Sequence, residues 1–208
     1  MRRIFIIRHG NTFESSASAC RIGARTDLPL VESGRAQADR LGHWFAAQGL
    51  APCSIHSGPL SRARETANRI AAALNQPVEA TLPWLDEIDH GPDEGRPEAE
   101  VLARIGESAL TAWDEQAIPP LGWTVNAPTR IAAWQSYFAQ SGEGTDLLVT
   151  SNGAARFALL ALGLSPASLK LRTGAYGELI RQADGSVKLQ SWDQRPKARA
   201  VNSSAAAR

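Results

Sequence analysis

The feature that most limits how this chain can fold is a continuous apolar run that passes through small polar residues straight into a helical pattern. Residues 147–150 read LLVT, the next three read SNG, and residues 154–162 read AARFALLAL. A run that is apolar at successive positions, rather than at every second one, is typical of a strand buried on both faces of a parallel sheet. The stretch predicts a strand over 147–151 and then a helix over 154–162, with functional residues at the junction.

The same alternation of strand and helix continues along the rest of the chain. Ile4-Phe5-Ile6-Ile7 predicts a second strand buried on both faces, and residues 54–57 (SIHS) predict a third. Residues 176–182 and 186–192 flank the turn sequence ADG and predict a hairpin. Helical spacing of apolar residues predicts the remaining helices over 31–47, with Ser33 as the N-cap, 60–74, 98–116 and 130–140.

This order of elements predicts the α/β class, as a three-layer sandwich in which a mostly parallel central sheet is flanked by helices. The length of 208 residues suits one hydrophobic core. We expect a single domain over residues 1–194. Residues 195–208 lack apolar periodicity and are predicted to form a C-terminal tail whose basic residues are solvated.

The composition limits the classes of partner and cofactor. A net charge of +1 argues against a surface for nucleic acid or membrane. The N-terminal sequence MRRIFIIRHG has too few successive apolar residues for a signal peptide, and no run has the length of a membrane span, so we expect a cytoplasmic protein. Cys20 and Cys53 form no CxxC motif and are expected to be reduced. The four histidines show no metal-ligand spacing, so no metal or other cofactor is expected.

Polar residues follow three of the predicted strands at the point where each strand ends. The first strand runs into residues 8–12 (RHGNT), another into residues 56–62 (HSGPLSR), and the later one into residues 151–153 (SNG). Because the carboxyl ends of parallel strands share one edge of a sheet, we expect these three loops to meet. Their guanidinium groups, imidazole, hydroxyls, amide and backbone N–H groups make up a pocket for a tetrahedral oxyanion.

The motifs at these strand ends resemble those of the histidine phosphatase superfamily, which includes the phosphoglycerate mutases. Arg8-His9-Gly10 resembles its RHG signature, and residues 57–63 (SGPLSRA) resemble its S-P-L-x-R-A segment with one inserted glycine. Residues 85–95 (LDEIDHGPDEG) resemble its L-x-E-x-x-x-G-x-x-E-G segment. Residues 26–38 (TDLPLVESGRAQA) also fit. The resemblance covers most of the chain, from about residue 3 to about residue 162, and implies a phosphoglycerate mutase-like fold.

The resemblance implies catalytic roles for two residues and phosphate-binding roles for two more. His9 is the expected nucleophile, which attacks phosphorus through a neutral imidazole nitrogen to give a phosphohistidine. Arg8 and Arg62 are expected to clamp the non-bridging oxygens of the phosphoryl group. Glu87 is the expected general acid for the leaving oxygen, which requires burial or the charge of the phosphate to keep its carboxyl partly protonated.

The resemblance also assigns further positions of the site and shows one departure from the family pattern. Asn11 and Thr12 stand where the family places polar residues of its phosphate loop. The departure is Asn152-Gly153, because the family has a second histidine there, and an amide donates a hydrogen bond but carries no charge. Asn152 is therefore either a phosphate ligand, together with Gly153, or a turn residue. His90, in the loop after the expected acid, either returns the missing positive charge or has a structural role.

Two functions stay open at this point. The first is a phosphomonoesterase or phosphoglycerate mutase-like enzyme that transfers a phosphoryl group through a phosphohistidine at His9, with activity altered or weakened by Asn152. The second is a catalytically impaired relative that binds a phosphorylated ligand or regulates a partner. Hydrolysis is favoured over mutase action, since the short chain contains no large insertion that cages a substrate. The expected partner is a small phosphorylated molecule, and a homodimer is possible.

Overall fold

A computed structural model describes residues 1–15, 19–164 and 166–196 of the protein. Its centre is a six-stranded sheet with the strand order β3-β2-β4-β1-β5-β6. The pairs β3-β2, β2-β4 and β4-β1 are parallel, whereas β5 and β6 complete the sheet as an antiparallel hairpin. The strands are β1 Arg2–Arg8, β2 Ser54–Ser57, β3 Ala80–Thr81, β4 Gly144–Thr150, β5 Tyr176–Arg181 and β6 Val187–Gln194. The mostly parallel α/β sheet and the C-terminal hairpin are confirmed.

Helices cover both faces of the sheet and complete the predicted three-layer sandwich. Helices α1 and α2 pack on one face, and α3 to α6 contribute to the core on the other. The helices are α1 Glu32–Ala47, α2 Ser61–Leu74, α3 Glu98–Ile105, α4 Glu107–Gln116, α5 Ala127–Ala139 and α6 Asn152–Ala161, with short 3-10 helices at Pro83–Leu85 and Gly91–Asp93. None of the helices in the described part of the chain is long and apolar enough to cross a membrane.

The side chains of β1 explain why its sequence is apolar at successive positions. Ile4 and Ile6 join the core on the face of α5 and α6, while Phe5 and Ile7 join the core on the face of α1 and α2. All four are completely buried. Burying one such side chain contributes about 1.5–3 kcal/mol. A polar side chain at any of these positions would therefore be buried, because neither face of β1 is exposed to solvent.

Three predicted helix boundaries are wrong, each for a local reason. The helix predicted over 98–116 is two helices, because Gly106 has a φ of +82° and breaks the helical path. Ser33 does not cap α1 but lies inside it, with its hydroxyl accepting a hydrogen bond from Asn11. Helix α5 begins at Ala127, three residues before the prediction, since Pro128 fits the first turn of a helix.

The start of the predicted tail packs back on the domain. The guanidinium of Arg195 donates to the carbonyl oxygen of Thr173 at 2.8 and 3.1 Å, so this residue is hydrogen-bonded rather than only solvated. Residues 197–208 of that tail lie outside the described residues. In the described part of the chain, Cys20 and Cys53 are not joined by a disulfide bond.

Candidate active site

The order of the parallel strands brings the three polar strand ends side by side. Strands β1 and β2 both pair with β4, so that Arg8 lies opposite Thr150 and Ser57 lies opposite Val149. A cleft of about 370 Å³ opens at this edge of the sheet. Its lining near the strand ends is Arg8, His9, Asn11, Thr12, Glu87, His90, Asn152, Gly153 and Thr173.

His9 follows directly after β1 and is held in one tautomer. Its side chain is only 2% exposed, and Nδ1 lies 2.8 Å from the carbonyl oxygen of Gly10. A carbonyl only accepts, so Nδ1 carries the proton and Nε2 keeps its lone pair. Burial, followed by the charges of Arg62 and Arg8, holds the pKa of His9 well below its ordinary value. The imidazole is therefore neutral at neutral pH.

Arg62 reaches His9 from the first turn of α2. Its Nε donates to Nε2 of His9 at 3.2 Å. Its other nitrogens donate to the carbonyl oxygens of Thr26 at 2.7 Å and Gly23 at 3.1 Å. The guanidinium is fully buried and is not among the residues that line the cleft. Arg62 thus connects the nucleophile candidate to the loop after β1.

Arg8 and Asn152 are linked through one peptide unit. Nη1 of Arg8 donates to the carbonyl oxygen of Leu171 at 2.9 Å, and the N–H of Leu171 donates to Oδ1 of Asn152 at 2.8 Å. The Nε of Arg8 is buried and has no hydrogen-bond partner among the described residues. An unpaired buried guanidinium N–H is a group that a bound anion can satisfy. Burial lowers the pKa of Arg8 to about 10, which leaves it a cation at neutral pH.

Asn152 is not a turn residue, because it is the first residue of α6 and has no positive φ. Its amide oxygen is occupied by Leu171, so the amide nitrogen is the group that it can offer to a ligand in the cleft. Asn11, by contrast, has both ends of its amide bonded within the protein. Its nitrogen donates to Ser33 at 3.3 Å, and its oxygen accepts from Thr173 at 2.5 Å.

Glu87 is a buried, ionised carboxylate. It is 6% exposed, and its two oxygens accept the N–H groups of Ile88 at 2.9 Å and Gly153 at 3.2 Å. Burial alone raises the pKa of Glu87, but the charge that His90 carries when its ring is protonated, these two N–H groups and Arg62 outweigh it and leave the pKa below its ordinary value. We expected either burial or the charge of the phosphate to keep the carboxyl of Glu87 partly protonated. Burial is insufficient, so only the charge of a bound phosphate can do so.

An added Cβ at Gly153 would lie 2.1 Å from Oε1 of Glu87, so the carboxylate of Glu87 would have to shift. The same glycine supplies the N–H that holds the carboxylate. Its position at the start of α6 therefore sets the position of Glu87.

His90 lies in the cleft but does not supply a positive charge in the ligand-free protein. It is 5% exposed and packs edge-on against Trp123 with ring centroids 4.4 Å apart. Burial lowers the pKa of His90 to about 4, against the opposing effect of Glu87. The ring is neutral at neutral pH.

Sequence reasoning missed a buried cation behind the site. Arg156 in α6 is fully buried, and its guanidinium carbon lies 3.8 Å from the ring centroid of Trp113, which lines the cleft. It also donates to the carbonyl oxygens of Trp113 and, at 3.4 Å, of Asn152. The signal was an arginine in an otherwise apolar helix. Arg156 fixes both the floor of the cleft and the first turn of α6.

The described residues contain no group of three His, Cys, Asp or Glu side chains placed to hold a metal ion. The cleft instead offers guanidinium, amide and backbone N–H donors around a neutral imidazole. Such donors suit the oxygens of a phosphoryl group.

Comparison with known proteins gives matches over most of the chain. A sequence model of the histidine phosphatase superfamily (branch 1) matches residues 4–193. The 2,3-bisphosphoglycerate-dependent phosphoglycerate mutase of Clavibacter michiganensis is 30% identical over 124 residues, which are 57% of this chain and 48% of that protein. The corresponding mutase of Corynebacterium diphtheriae is 33% identical over 113 residues, 53% of this chain and 45% of that protein. The aligned regions thus span about half the length of these relatives.

Solved structures share the fold. A mycobacterial glucosyl-3-phosphoglycerate phosphatase has a TM-score of 0.76 at 22% identity and covers 94% of this chain and 100% of its own. A phosphoserine phosphatase mutant from Entamoeba histolytica, in complex with phosphoserine, has a TM-score of 0.73 at 22% identity. The match covers 93% of this chain and 97% of that chain.

Proposed function

This chain belongs to the histidine phosphatase superfamily, and we propose that it is a phosphomonoesterase that works through a phosphohistidine at His9. The observation that carries the proposal is the state of that imidazole. Nδ1 is held by the carbonyl of Gly10, and the lone pair of Nε2 lies beside Arg62 in the cleft. A neutral imidazole with a fixed tautomer can attack phosphorus once the substrate takes over the N–H of Arg62 that bonds Nε2.

The first step transfers the phosphoryl group to His9. A bond forms between Nε2 and phosphorus while the bond from phosphorus to the alcohol oxygen breaks. Arg8 holds non-bridging oxygens, and its free Nε–H is one donor available for this purpose. Arg62 can add the Nε–H that bonds His9 in the ligand-free protein, since its other two nitrogens donate to Thr26 and Gly23. Glu87 gives its proton to the departing oxygen, after the negative charge of the bound phosphate has raised the pKa of that carboxyl.

The second step returns the enzyme to its starting state. Glu87, now ionised, takes a proton from water, the water oxygen bonds to phosphorus, and the bond to Nε2 breaks. Inorganic phosphate leaves, and Glu87 releases the proton that it took from water, which restores the ionised carboxylate of the ligand-free protein. We assign hydrolysis rather than mutase action because the chain lacks a large insertion that keeps water from the phosphoenzyme.

Asn152 stands, in this proposal, where the family has its second histidine. Its amide nitrogen donates to an oxygen of the phosphoryl group but brings no positive charge, and His90 is neutral in the ligand-free protein. Loss of one oxyanion donor costs about 3–4 kcal/mol of activation free energy. Replacement of a charged donor by a neutral one costs less, so the enzyme is slow rather than inactive.

The same observation on Asn152 favours one alternative function. A site with neutral donors at Asn152 and His90 retains phosphate affinity through Arg8 and Arg62 while it loses transition-state stabilisation. Such a protein binds a phosphorylated ligand, or regulates a partner, without useful turnover. The buried Glu87, which a simple binding protein does not need, argues for the enzyme.

Hydrolysis of p-nitrophenyl phosphate by the wild type and by His9→Ala tests the proposal. We expect turnover by the wild type and none above background by His9→Ala, with His43→Ala, an exposed histidine of α1, as the matched control. Absence of turnover in the wild type, together with binding of phosphate that depends on Arg62, identifies the alternative function instead.

A further inference from the structure

The part of the cleft away from the strand ends is built by segments far apart in the sequence. Its lining comes from residues 13–15 and 19–22, from Glu98 of α3 and from Trp113 of α4. If His9 takes the phosphoryl group, as proposed above, the alcohol portion of the ester occupies this part of the cleft. The charges found here therefore select the alcohol.

An ion pair joins the two sides of this region. Nη2 of Arg21 donates to Oε2 of Glu98 at 2.5 Å, and the Arg21 side chain is only 18% exposed. Its guanidinium carbon lies 5.3 Å from the ring centroid of Trp123. The pair thus joins a largely buried arginine to a glutamate whose side chain is 43% exposed.

The backbone holds this pair together without any ligand. Cys20 forms an antiparallel bridge with Pro97. The N–H of Arg21 donates to the carbonyl of Arg96 at 2.8 Å, and the carbonyl of Arg21 accepts from Gly95 at 2.7 Å. These bonds fix the segment before α3 against the loop after β1. Nη2 of Arg21 is therefore already paired with Glu98 when a substrate arrives, whereas its buried Nε has no hydrogen-bond partner among the described residues.

The charges in this region are otherwise negative. Arg21 is the one cation among the described lining residues beyond the strand ends, and Glu14 and Glu98 are the acids. The undescribed residues 16–18 read SAS and carry no charge. A second anionic group on the substrate therefore meets two carboxylates and, among the described lining residues beyond the strand ends, a single cation that is already paired with Glu98. Like charges placed together in an interface lower affinity by tenfold or more.

We infer that Glu98 is a specificity-determining residue, and that the substrate is a phosphate ester of a hydroxyl-bearing alcohol without a second anionic group. By occupying Arg21, Glu98 keeps a carboxylate or second phosphate out of this subsite. Hydroxyl groups of a polyol or sugar instead donate to the carboxylate oxygens of Glu98. This inference rests on the proposed phosphomonoesterase function.

Two esters that differ only in the second anionic group provide the test. Glycerol 3-phosphate carries a hydroxymethyl group where 3-phosphoglycerate carries a carboxylate. We expect the wild type to have a kcat/KM at least about tenfold higher for glycerol 3-phosphate. Glu98→Gln frees Arg21 and should shift the ratio about tenfold towards 3-phosphoglycerate. Glu100→Gln, an exposed residue of α3 paired with Arg96 at 3.3 Å, is the matched control and should leave the ratio unchanged.

The outcomes separate this inference from the proposed function. The role of Glu98 is overturned if the protein hydrolyses p-nitrophenyl phosphate but has equal kcat/KM for the two esters. It is also overturned if Glu98→Gln does not change the ratio of the two kcat/KM values. In both cases the proposed phosphomonoesterase function still stands. If no turnover is found, the preference between the two esters is measured by binding instead. Calorimetry then gives the affinity of each ester for His9→Ala, with and without Glu98→Gln. Preferential binding of glycerol 3-phosphate that Glu98→Gln removes then supports the subsite, whereas equal binding overturns it.

Discussion

The Nε atom of Arg62 lies 3.2 Å from Nε2 of His9, and its N–H points to the lone pair that would attack phosphorus. The nucleophile of the proposed reaction is thus covered by a hydrogen bond in the ligand-free protein. When a phosphate ester binds, its oxygens must take over this N–H before the lone pair is free. The contact keeps the imidazole oriented until substrate arrives.

Glu87→Gln is expected to act mainly on esters with basic leaving groups. An acid matters most when the departing oxygen is a strong base, so turnover of an alkyl phosphate should fall about a hundredfold or more. The kcat/KM for p-nitrophenyl phosphate, which reports the transfer to His9 and whose leaving group needs no proton, should fall much less. An equal loss for both substrates, measured as kcat/KM, means that the carboxylate positions the ligand and donates no proton.

Gly153→Ala is expected to resemble Glu87→Gln, because the new Cβ lies 2.1 Å from Oε1 of Glu87 and must displace the carboxylate. The measurement is a double-mutant cycle on alkyl phosphate turnover. If displacement of Glu87 is the cause, Gly153→Ala adds little to a chain that already carries Glu87→Gln. Fully additive losses would show that Gly153 acts by another route.

Asn152→His is expected to raise turnover, because a cationic ring can replace the neutral amide near the phosphoryl group. The gain is bounded by the strength of one oxyanion donor, on the order of tenfold to a thousandfold. His90→Ala should then change turnover little, since His90 is neutral in the ligand-free protein. If Asn152→His leaves turnover unchanged or lowers it, and His90→Ala lowers turnover severely, the expectation is contradicted. That result shows that His90 supplies the positive charge once phosphate is bound.

The stability of the protein should fall as the pH drops from about 6.5 to about 4, partly because of His90. Its folded-state pKa of about 4 lies below the ordinary 6.5, so in this window the unfolded chain binds a proton that the folded protein does not. A shift of this size corresponds to about 3 kcal/mol. His9, whose pKa is also lowered, adds a slope of the same sign.

Urea unfolding across this pH window checks the contribution of His90. His90→Gln removes the titrating group and should flatten the dependence of the unfolding free energy on pH. His43→Gln, at an exposed position of α1, serves as the control and should keep the slope of the wild type. Equal slopes in all three proteins would mean that His90 is protonated as easily in the folded state as in the unfolded chain.

The sheet was predictable from the sequence because its central strands leave a simple pattern. Ile4 to Ile7 are apolar at every position since alternate side chains enter opposite cores. The meeting of the three polar loops followed from the parallel-strand rule alone. The break at Gly106 was not predictable in this way, because a glycine within a periodic segment is compatible with either a continuous or a broken helix.

The chemical state of the candidate site depends on contacts between distant segments, which the sequence does not show. The pKa of Glu87 is lowered because the charge of a protonated His90, the N–H groups of Ile88 and Gly153, and Arg62 outweigh its burial, and His90 is neutral because it is buried against Trp123. The pairing of Arg21 with Glu98 likewise depends on the backbone bridge that holds their loops together. Residue types were therefore predictable, whereas charges and partners required the structure.

The central claim is that His9 carries the phosphoryl group during turnover, and trapping of the phosphoenzyme tests it most directly. Glu87→Gln should be mixed rapidly with p-nitrophenyl phosphate, because loss of the base that activates water slows breakdown of the intermediate. Mass measurement on the intact protein and its peptides is then expected to find one acid-labile phosphate on His9, and none when His9→Ala is added. Phosphate on another residue, or undiminished turnover by His9→Ala, would contradict the account.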